Sequence, residues 1–256
     1  RTMPKGVSSA ARRTGDAGTA GSTDGRSLIR FDHVSKSFPG ADALKDVTVE
    51  IPKGRVVGLL GPNGSGKSTF LKLIAGLHRP TRGEVFVAGE PPGRRTKELV
   101  AYLPEVDHIY PWMTVERSLN FLSAFYKDWD GAKAERLLDF FKLPRRHKVG
   151  KLSKGMRGKL RLTAVLARSA PVVLLDEPLS GIDPPSRVSI VDALVREFDA
   201  GEQTIIISTH EVLETESLFD SLIFLHQGRI ALQGDVDTLR QRYGASVQDL
   251  FKEVIQ

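Results

Sequence analysis

The sequence runs Val56-Val57-Gly58-Leu59-Leu60 and then Gly61-Pro62-Asn63-Gly64-Ser65-Gly66-Lys67-Ser68-Thr69. The second part matches the pattern G-x-x-x-x-G-K-[S/T], which binds phosphate when a strand precedes it and a helix follows. The apolar run in front predicts a buried strand, and the helical spacing of apolar residues over Phe70–Leu77 predicts the helix. The sequence therefore predicts a phosphate site between a strand and a helix.

The residue types of this loop suit a nucleotide triphosphate. Its glycines let backbone N–H groups converge on phosphate oxygens, and the helix N-terminus adds a partial positive charge. We expect Lys67 to reach the β- and γ-phosphates and the Ser68 hydroxyl to hold Mg²⁺. No Asn-Lys-x-Asp guanine-recognition sequence occurs in the chain, which argues against a GTPase.

A second motif, Val172-Val173-Leu174-Leu175-Asp176-Glu177-Pro178, is an apolar strand that ends in two acids. Ligands bind at the carboxyl edge of such sheets, so we expect Asp176 to bind Mg²⁺ through water. Glu177, one residue further on, is a candidate general base for the attacking water. The alternative is that both acids simply end a strand.

Composition limits the remaining possibilities. The 256 residues are 40% hydrophobic and 27% charged, with a net charge of +6 and no cysteine. This excludes wholesale disorder, a disulfide scaffold and cysteine–zinc sites, and no run approaches the roughly 20 apolar residues of a membrane span. Residues 1–26 are rich in Gly, Ser, Thr, Ala and Arg and predict a disordered basic tail. The modest basic surplus does not indicate a nucleic-acid partner.

The pattern after the tail is typical of an α/β fold. Strand and helix patterns alternate from residue 172 to 232, which favours a parallel sheet, and a helical insertion is predicted near residues 105–165. Just before a predicted helix at Arg157–Arg168 stands Leu152-Ser153-Lys154-Gly155-Met156. With the two phosphate-site motifs, this segment makes the chain resemble the ATP-binding subunits of ABC transporters, from about Leu28 to Gly234.

In that family the corresponding signature is usually Leu-Ser-Gly-Gly-Gln, from which Lys154 and Met156 depart. The resemblance implies a P-loop NTPase core with a mostly parallel sheet, an N-terminal antiparallel β subdomain and the inserted helical subdomain. It implies an ATPase domain over residues 27–240 and a short helical extension over residues 241–256.

The resemblance also implies roles for further residues. Phe38 corresponds to an aromatic that stacks on adenine, although an ordinary core or loop aromatic is the alternative. Ser153 and Gly155 correspond to residues that bind the γ-phosphate of ATP held by the opposite subunit. Asp183 lies in a segment that communicates between the two sites, and His210 corresponds to a histidine that senses the γ-phosphate. Lys67, Glu177 and His210 are the expected catalytic residues.

Glu105 is the most informative departure from the family pattern. In Tyr102-Leu103-Pro104-Glu105 it replaces a glutamine that approaches Mg²⁺ and the attacking water, and we expect it to contribute to ATP and Mg²⁺ binding. Downstream, the group Tyr110-Pro111-Trp112-Met113 falls where the family receives its membrane subunit. The alternative for this group is internal packing.

The implied function is an ATP-hydrolysing subunit that binds ATP and Mg²⁺ and pairs with a second ATPase subunit. The absence of a membrane span in the sequence implies a separate integral membrane subunit and a peripheral position on the cytoplasmic face of the cell membrane. The weaker part of the resemblance is to exporters of drugs, antibiotics or lipids. The alternatives are a soluble ABC ATPase acting on nucleic acid or ribosomes, and a regulatory subunit that binds ATP without hydrolysing it.

Overall fold

The computed structural model describes residues 27–210 and 215–255 of the chain. Its strands are β1 (Ile29–Phe38), β2 (Ala41–Ile51), β3 (Val56–Leu60), β4 (Arg82–Val87), β5 (Val100–Leu103), β6 (Val172–Asp176), β7 (Thr204–Thr209), β8 (Ser221–His226) and β9 (Arg229–Asp235). Its helices are α1 (Lys67–Ile74), α2 (Arg94–Glu98), α3 (Val115–Ser123), α4 (Gly131–Phe140), α5 (Lys154–Leu166), α6 (Pro184–Glu197), α7 (Val236–Tyr243) and α8 (Val247–Ile255), with 3₁₀ turns at Val149–Lys151 and Glu216–Leu218. The predicted tail, residues 1–26, lies outside the described residues.

Two sheets organise the fold. The central six-stranded sheet has the order β5-β6-β7-β3-β8-β9, and its strands from β5 to β8 are all parallel. A smaller antiparallel sheet has the order β2-β1-β4. The α/β fold with a mostly parallel sheet and an antiparallel sheet of N-terminal strands is therefore confirmed.

The last two strands differ from the strand–helix alternation predicted for residues 172–232. β8 and β9 form an antiparallel hairpin rather than a parallel unit. The connection consists of Gln227 and Gly228, whose φ angles are 48° and 78°. Two positive φ angles in succession are the geometry that favours tight two-residue hairpins, so the chain reverses directly without a crossover helix.

Both faces of the central sheet are covered, which explains why its inner strands are apolar throughout. Every residue of β3, β6 and β7 is buried, as is typical of parallel strands with cover on each side. Alternate residues of β3 belong to different cores. Val57 and Leu59 pack with α1 and the antiparallel sheet, whereas Val56 and Leu60 pack with the core that contains α5 and α6.

The inserted helices α3, α4 and α5 lie between β5 and β6 along the chain. The sequence predicts a helix over Thr114–Phe125 with Thr114 as its N-cap, and Thr114 does begin α3, because its side chain accepts a hydrogen bond from the Arg117 N–H at 3.2 Å. Helix α5 begins at Lys154, three residues before the predicted start. The reason is that Ser153 caps it by accepting a hydrogen bond from the Met156 N–H at 3.2 Å.

The C-terminal helices pack onto the main core. Helix α7 continues across residue 240, where the sequence suggested a domain boundary. Val247 and Leu250 of α8 are buried in the same hydrophobic cluster as Phe224 of β8. The last helix is therefore continuous with the core. Within residues 27–210 and 215–255, no helix combines the length and apolar character needed to cross a membrane.

Candidate functional site

The glycine-rich loop connects the carboxyl end of β3 to α1. Gly64 and Gly66 have φ angles of 80° and 109°, which favour glycine. A Cβ atom on Gly66 would lie 2.5 Å from the Ala43 carbonyl oxygen, so the antiparallel sheet packs directly on the loop. The Ser65 hydroxyl is buried and has no hydrogen-bond partner among the described residues. An unpaired buried hydroxyl beside the N-terminus of a helix suits a phosphate oxygen.

Lys67 reaches back from the first turn of α1 toward the loop. Its ammonium donates hydrogen bonds to the carbonyl oxygens of Gly61 at 2.8 Å and Pro62 at 3.3 Å. The same Nζ lies 3.2 Å from Oε1 of Glu177, and the two side chains are only 6% and 8% exposed. A bound phosphate would compete with Glu177 for this buried cation.

Asp176 ends β6 with a carboxylate that is surrounded by hydroxyl groups. Its Oδ1 accepts hydrogen bonds from Ser68 at 3.1 Å and Ser208 at 2.7 Å, and its Oδ2 accepts one from Tyr102 at 3.2 Å. Burial, followed by the charge of Asp176, raises the pKa of Tyr102, so its hydroxyl remains a donor. Sequence reasoning missed Tyr102 and Ser208. The available signal was their position at the ends of apolar strands.

Glu177 follows Asp176 in a left-handed backbone conformation, with a φ of 47°. Its N–H donates to the Ser208 hydroxyl at 3.0 Å, and its Oε2 lies 3.0 Å from Nδ1 of His210. Left-handed conformations of non-glycine residues are uncommon and concentrate at functional sites. The turn places one carboxylate between the cation of Lys67 and the imidazole of His210.

The oxygen ligands present suit Mg²⁺. Ser68 and Asp176 offer a hydroxyl and a carboxylate oxygen 3.1 Å apart, and both are hard donors. Among the described residues, no cluster of three or more His, Cys, Asp or Glu side chains could hold a metal ion by itself. Magnesium is typically bound by one or two carboxylates together with substrate phosphates and water, which is what this pair could support.

Glu105 is exposed on the loop after β5 and forms no hydrogen bond or ion pair with Ser68 or Asp176. Its carbonyl oxygen accepts a hydrogen bond from Arg161 Nη2 of α5 at 3.0 Å. Asp107, two residues on, pairs with Arg161 at 3.4 Å and with Arg157 at 3.2 Å. These contacts draw the loop toward α5. Glu105 nevertheless lines a cleft of about 190 Å³ that Glu177 also lines.

Phe38 lies at the end of β1 and is 38% exposed, so it is not a core aromatic. Its ring contacts His78 edge-on, with 5.3 Å between ring centroids. The Lys36 ammonium lies 4.9 Å from the centre of the Phe38 ring. The aromatic surface is therefore partly accessible and sits next to a cation.

The predicted signature residues lie at the start of α5. Ser153 is exposed and Gly155 is buried, and a Cβ atom on Gly155 would lie 2.5 Å from Oγ of Ser186. Asp183 caps α6 by accepting a hydrogen bond from the Ser186 N–H at 3.1 Å. No hydrogen bond or ion pair joins residues 153–155 to the glycine-rich loop of the same chain. The structure thus brings Lys67, Ser68, Asp176, Glu177 and His210 together, and leaves Ser153, Gly155 and Asp183 outside this group.

The group predicted near residue 110 forms an exposed aromatic surface. Tyr110 is 49% and Trp112 63% exposed, and their ring centroids are 5.5 Å apart. Phe121 and Phe125 of the α3 region extend the surface, at 5.9 Å from Tyr110 and 5.0 Å from each other. We call Tyr110, Trp112, Phe121 and Phe125 the aromatic face. Internal packing does not account for its exposure.

Comparisons with known proteins give the family context of this site. A family model described as ABC transporter matches residues 44–180. The uncharacterized ABC transporter ATP-binding protein YxlF of Bacillus subtilis is 32% identical, over 86% of this chain and 75% of its own length. The Nod factor export ATP-binding protein I of Burkholderia orbicola is 35% identical, over 80% of this chain and 70% of its own length.

Two further matches extend this similarity. A probable branched-chain amino acid transport ATP-binding protein, LivF of Archaeoglobus fulgidus, is 33% identical, over 83% of this chain and 94% of its own. The solved structure of an ATP-binding subunit of an ABC transporter superposes with a TM-score of 0.77 at 31% identity, and covers 89% of this chain and 99% of that one. The family model, the relatives and the solved structure agree, and this chain belongs to the ATP-binding subunits of ABC transporters and is an ABC-type ATPase.

Proposed function

We propose that this ATPase hydrolyses ATP with Mg²⁺ at the interface of two subunits and drives a separate membrane-spanning subunit, which exports a drug, antibiotic or lipid-like substrate. The observation that carries the chemical part is the convergence of Lys67, Ser68, Asp176, Glu177 and His210 at the carboxyl edge of the parallel sheet. These groups provide a cation, a base and an imidazole in one set of contacts, and two oxygen ligands in contact with each other beside it.

Phosphate binding is assigned to the loop and α1. The N-terminus of α1, the Ser65 hydroxyl and the Lys67 ammonium each favour negative charge in this place. Ser68 and Asp176 would hold Mg²⁺, which would supply positive charge against the negative charge that develops during phosphoryl transfer. When a γ-phosphate takes over the Lys67 ammonium, the carboxylate of Glu177 is released from this ion pair and can face the attacking water.

Glu177 is the proposed general base, since its carboxylate is buried beside the phosphate loop and can accept a proton from an attacking water. His210 lies 3.0 Å from that carboxylate and is proposed to orient it and to contact the γ-phosphate. Phe38 is proposed to stack on adenine through its accessible ring. Asn63, Gly64 and Thr69 belong to the loop that encloses the phosphates.

The second subunit follows from where the signature residues lie. Ser153 and Gly155 form the N-terminus of a thirteen-residue helix, α5, and make no polar contact with the phosphate loop of their own chain. We therefore assign them to the nucleotide of an opposite subunit, with Asp183 on the path between the two sites.

The aromatic face supports a membrane partner. Exposed Tyr, Trp and Phe side chains are enriched at the centres of protein interfaces, and the face is formed by the loop before α3, by α3 and by the residues just after it. The export direction is supported by the 35% identity to a Nod factor export protein. The 33% identity to a probable branched-chain amino acid transport protein supports a different substrate class. Identification of the membrane partner distinguishes the two.

The hydrolysis step is tested with Glu177→Gln, which keeps the side chain's shape and removes the base. We expect ATP to bind, turnover to fall by about 10²- to 10⁴-fold, and a larger species to appear in size-exclusion chromatography with light scattering when Mg²⁺ and ATP are present. Glu202→Gln, at an exposed pair with Lys53, is the matched control. Undiminished turnover in Glu177→Gln would refute the assignment of the base.

The transport part is tested by affinity purification of the chain from detergent-solubilised membranes. We expect one integral membrane protein to co-purify and to be lost when Trp112 and Phe125 are both changed to Ser. Full ATP turnover with no membrane protein recovered would instead favour an ABC ATPase that is not coupled to transport. Recovery of a membrane partner from an import system would overturn the export direction alone.

A further inference from the structure

The carboxylate proposed to hold Mg²⁺ is fixed by a hydroxyl group that belongs to neither phosphate motif. Tyr102 donates to Oδ2 of Asp176 at 3.2 Å, on the opposite oxygen from the one that Ser68 contacts. Because Ser68 and Ser208 both bind Oδ1, Tyr102 is the hydrogen-bond donor seen on Oδ2 among the described residues. Tyr102 therefore opposes rotation of the carboxylate about its terminal torsion.

The order and register of the strands explain the contact between Tyr102 and Asp176. β5 is the edge strand beside β6, and Tyr102 lies opposite Leu174 in the parallel register, two residues before Asp176. A tyrosine side chain is long enough to span that offset, and its ring is partly buried against the core that contains α1 and the antiparallel sheet. The terminal torsion of an aspartate is broad and weakly restrained by itself. A donor held on a neighbouring strand is therefore what selects one orientation.

We propose that Tyr102 is a positioning residue of the metal site, which keeps Oδ1 of Asp176 directed toward Ser68 and the incoming Mg²⁺. The inference rests on the proposed function, because it assumes that Ser68 and Asp176 are the metal ligands. Outer hydrogen-bond partners of metal ligands commonly change metal affinity by about 10- to 100-fold when removed. The Tyr102 hydroxyl is such a partner, and it touches Asp176 without touching Glu177.

Ser208 provides the contrast that makes the test specific. Its hydroxyl donates to Asp176 at 2.7 Å and accepts from the Glu177 N–H at 3.0 Å. Loss of that hydroxyl would disturb the metal ligand and the proposed base together. Loss of the Tyr102 hydroxyl would disturb the metal ligand alone, so Tyr102→Phe separates metal positioning from base positioning.

The experiment measures the affinity of the full chain for a non-hydrolysable fluorescent ATP analogue, in EDTA and in a Mg²⁺ titration. For Tyr102→Phe we expect unchanged affinity in EDTA and an approximately tenfold higher Mg²⁺ concentration for half-maximal enhancement. Tyr126→Phe is the control. The centre of the Tyr126 ring lies 4.2 Å from Cζ of Arg168, away from the site, so loss of this hydroxyl should leave both affinities at the wild-type values. Melting temperatures of both variants verify that they fold.

A double-variant cycle with Asp176→Asn gives a second test that does not depend on the stability of one variant. Once the carboxylate is an amide, Tyr102→Phe should cause no further change in the Mg²⁺ requirement. An unchanged Mg²⁺ requirement in Tyr102→Phe, or an equal loss of affinity in EDTA and in Mg²⁺, would overturn the proposal. If Mg²⁺ does not enhance analogue binding to the wild-type chain, the metal site itself fails and the role of Tyr102 falls with it. If only hydrolysis fails, the binding result for Tyr102 stands.

Discussion

Lys67 and Glu177 form a buried ion pair in the place where we assign the triphosphate. This ion pair leads to a prediction about ATP affinity. Glu177→Gln should bind ATP more tightly than wild type while it hydrolyses ATP far more slowly. The reason is that the carboxylate competes with phosphate for the Lys67 ammonium and also repels the phosphate charge. The amide does neither, although it fills the same space.

The magnitude follows from the separation of the charges. At 3.2 Å the attraction between Nζ and Oε1 is about 5 kcal/mol at an effective dielectric constant of about 20. Much of this is offset, because the Lys67 ammonium keeps its hydrogen bonds to Gly61 and Pro62 and because a separated Glu177 regains solvation. We expect a net gain of about tenfold in affinity, equivalent to about 1.4 kcal/mol.

The assay is equilibrium binding of ATP in EDTA, where neither hydrolysis nor Mg²⁺ contributes. Glu202→Gln is the control, since it neutralises a glutamate that lies 2.8 Å from Lys53 with both side chains largely exposed. Exposed ion pairs of this kind contribute about 0–1 kcal/mol to stability. The Lys53–Glu202 pair also lies far from the phosphate site. Equal or weaker ATP binding by Glu177→Gln, with the control at wild-type affinity, would refute the competition.

Three further variants test other parts of the molecule. Lys67→Ala should weaken ATP binding by about 10- to 100-fold, since it removes charge-assisted hydrogen bonds, and wild-type turnover would contradict the loop assignment. Arg168→Met should lower the free energy of unfolding in urea by about 1–3 kcal/mol, because it leaves Asp128 and the carbonyl oxygen of Val100 without their donor, whereas Arg145→Met, at an exposed position, should change it little. Glu105→Gln should retain ATPase activity with a shallower Mg²⁺ dependence, and Glu105→Ala should lose mainly stimulation by the membrane partner. Turnover and Mg²⁺ titrations with and without that partner measure both, and a wild-type profile for the alanine variant would contradict this role.

Local chemistry was predictable from the sequence. The glycine-rich loop was identified because its pattern is contiguous and its flanking strand and helix have clear periodicity. The Thr114 cap was identified for the same reason, since a cap hydrogen bond joins residues three positions apart. In each case the interacting groups lie within one short segment, so the local sequence is enough to predict their contacts.

Features that depend on strand order were not predictable. Strand β5 is only four residues long, and sequence analysis assigned no strand there. Its position beside β6 is what brings Tyr102 to Asp176, across seventy-four positions of the chain. The contact of Arg161 with the Glu105 loop is also remote, across fifty-six positions, and it explains why that loop leans toward α5 rather than toward the proposed metal ligands.

The order β5-β6-β7-β3 explains why so much chemistry collects at one edge. Parallel neighbours end at the same side of the sheet, so Tyr102, Asp176, Ser208 and the start of the phosphate loop are presented in a row. Asp176 lies opposite Ser208 in the register, and the next residue, Glu177, turns away with its left-handed backbone. That turn costs about 1–3 kcal/mol, and the hydrogen bond from the Glu177 N–H to Ser208 offsets part of it. The strained turn separates two adjacent acids, with Asp176 directed to the hydroxyls and Glu177 to Lys67 and His210, so one strand end presents both the proposed metal ligand and the proposed base.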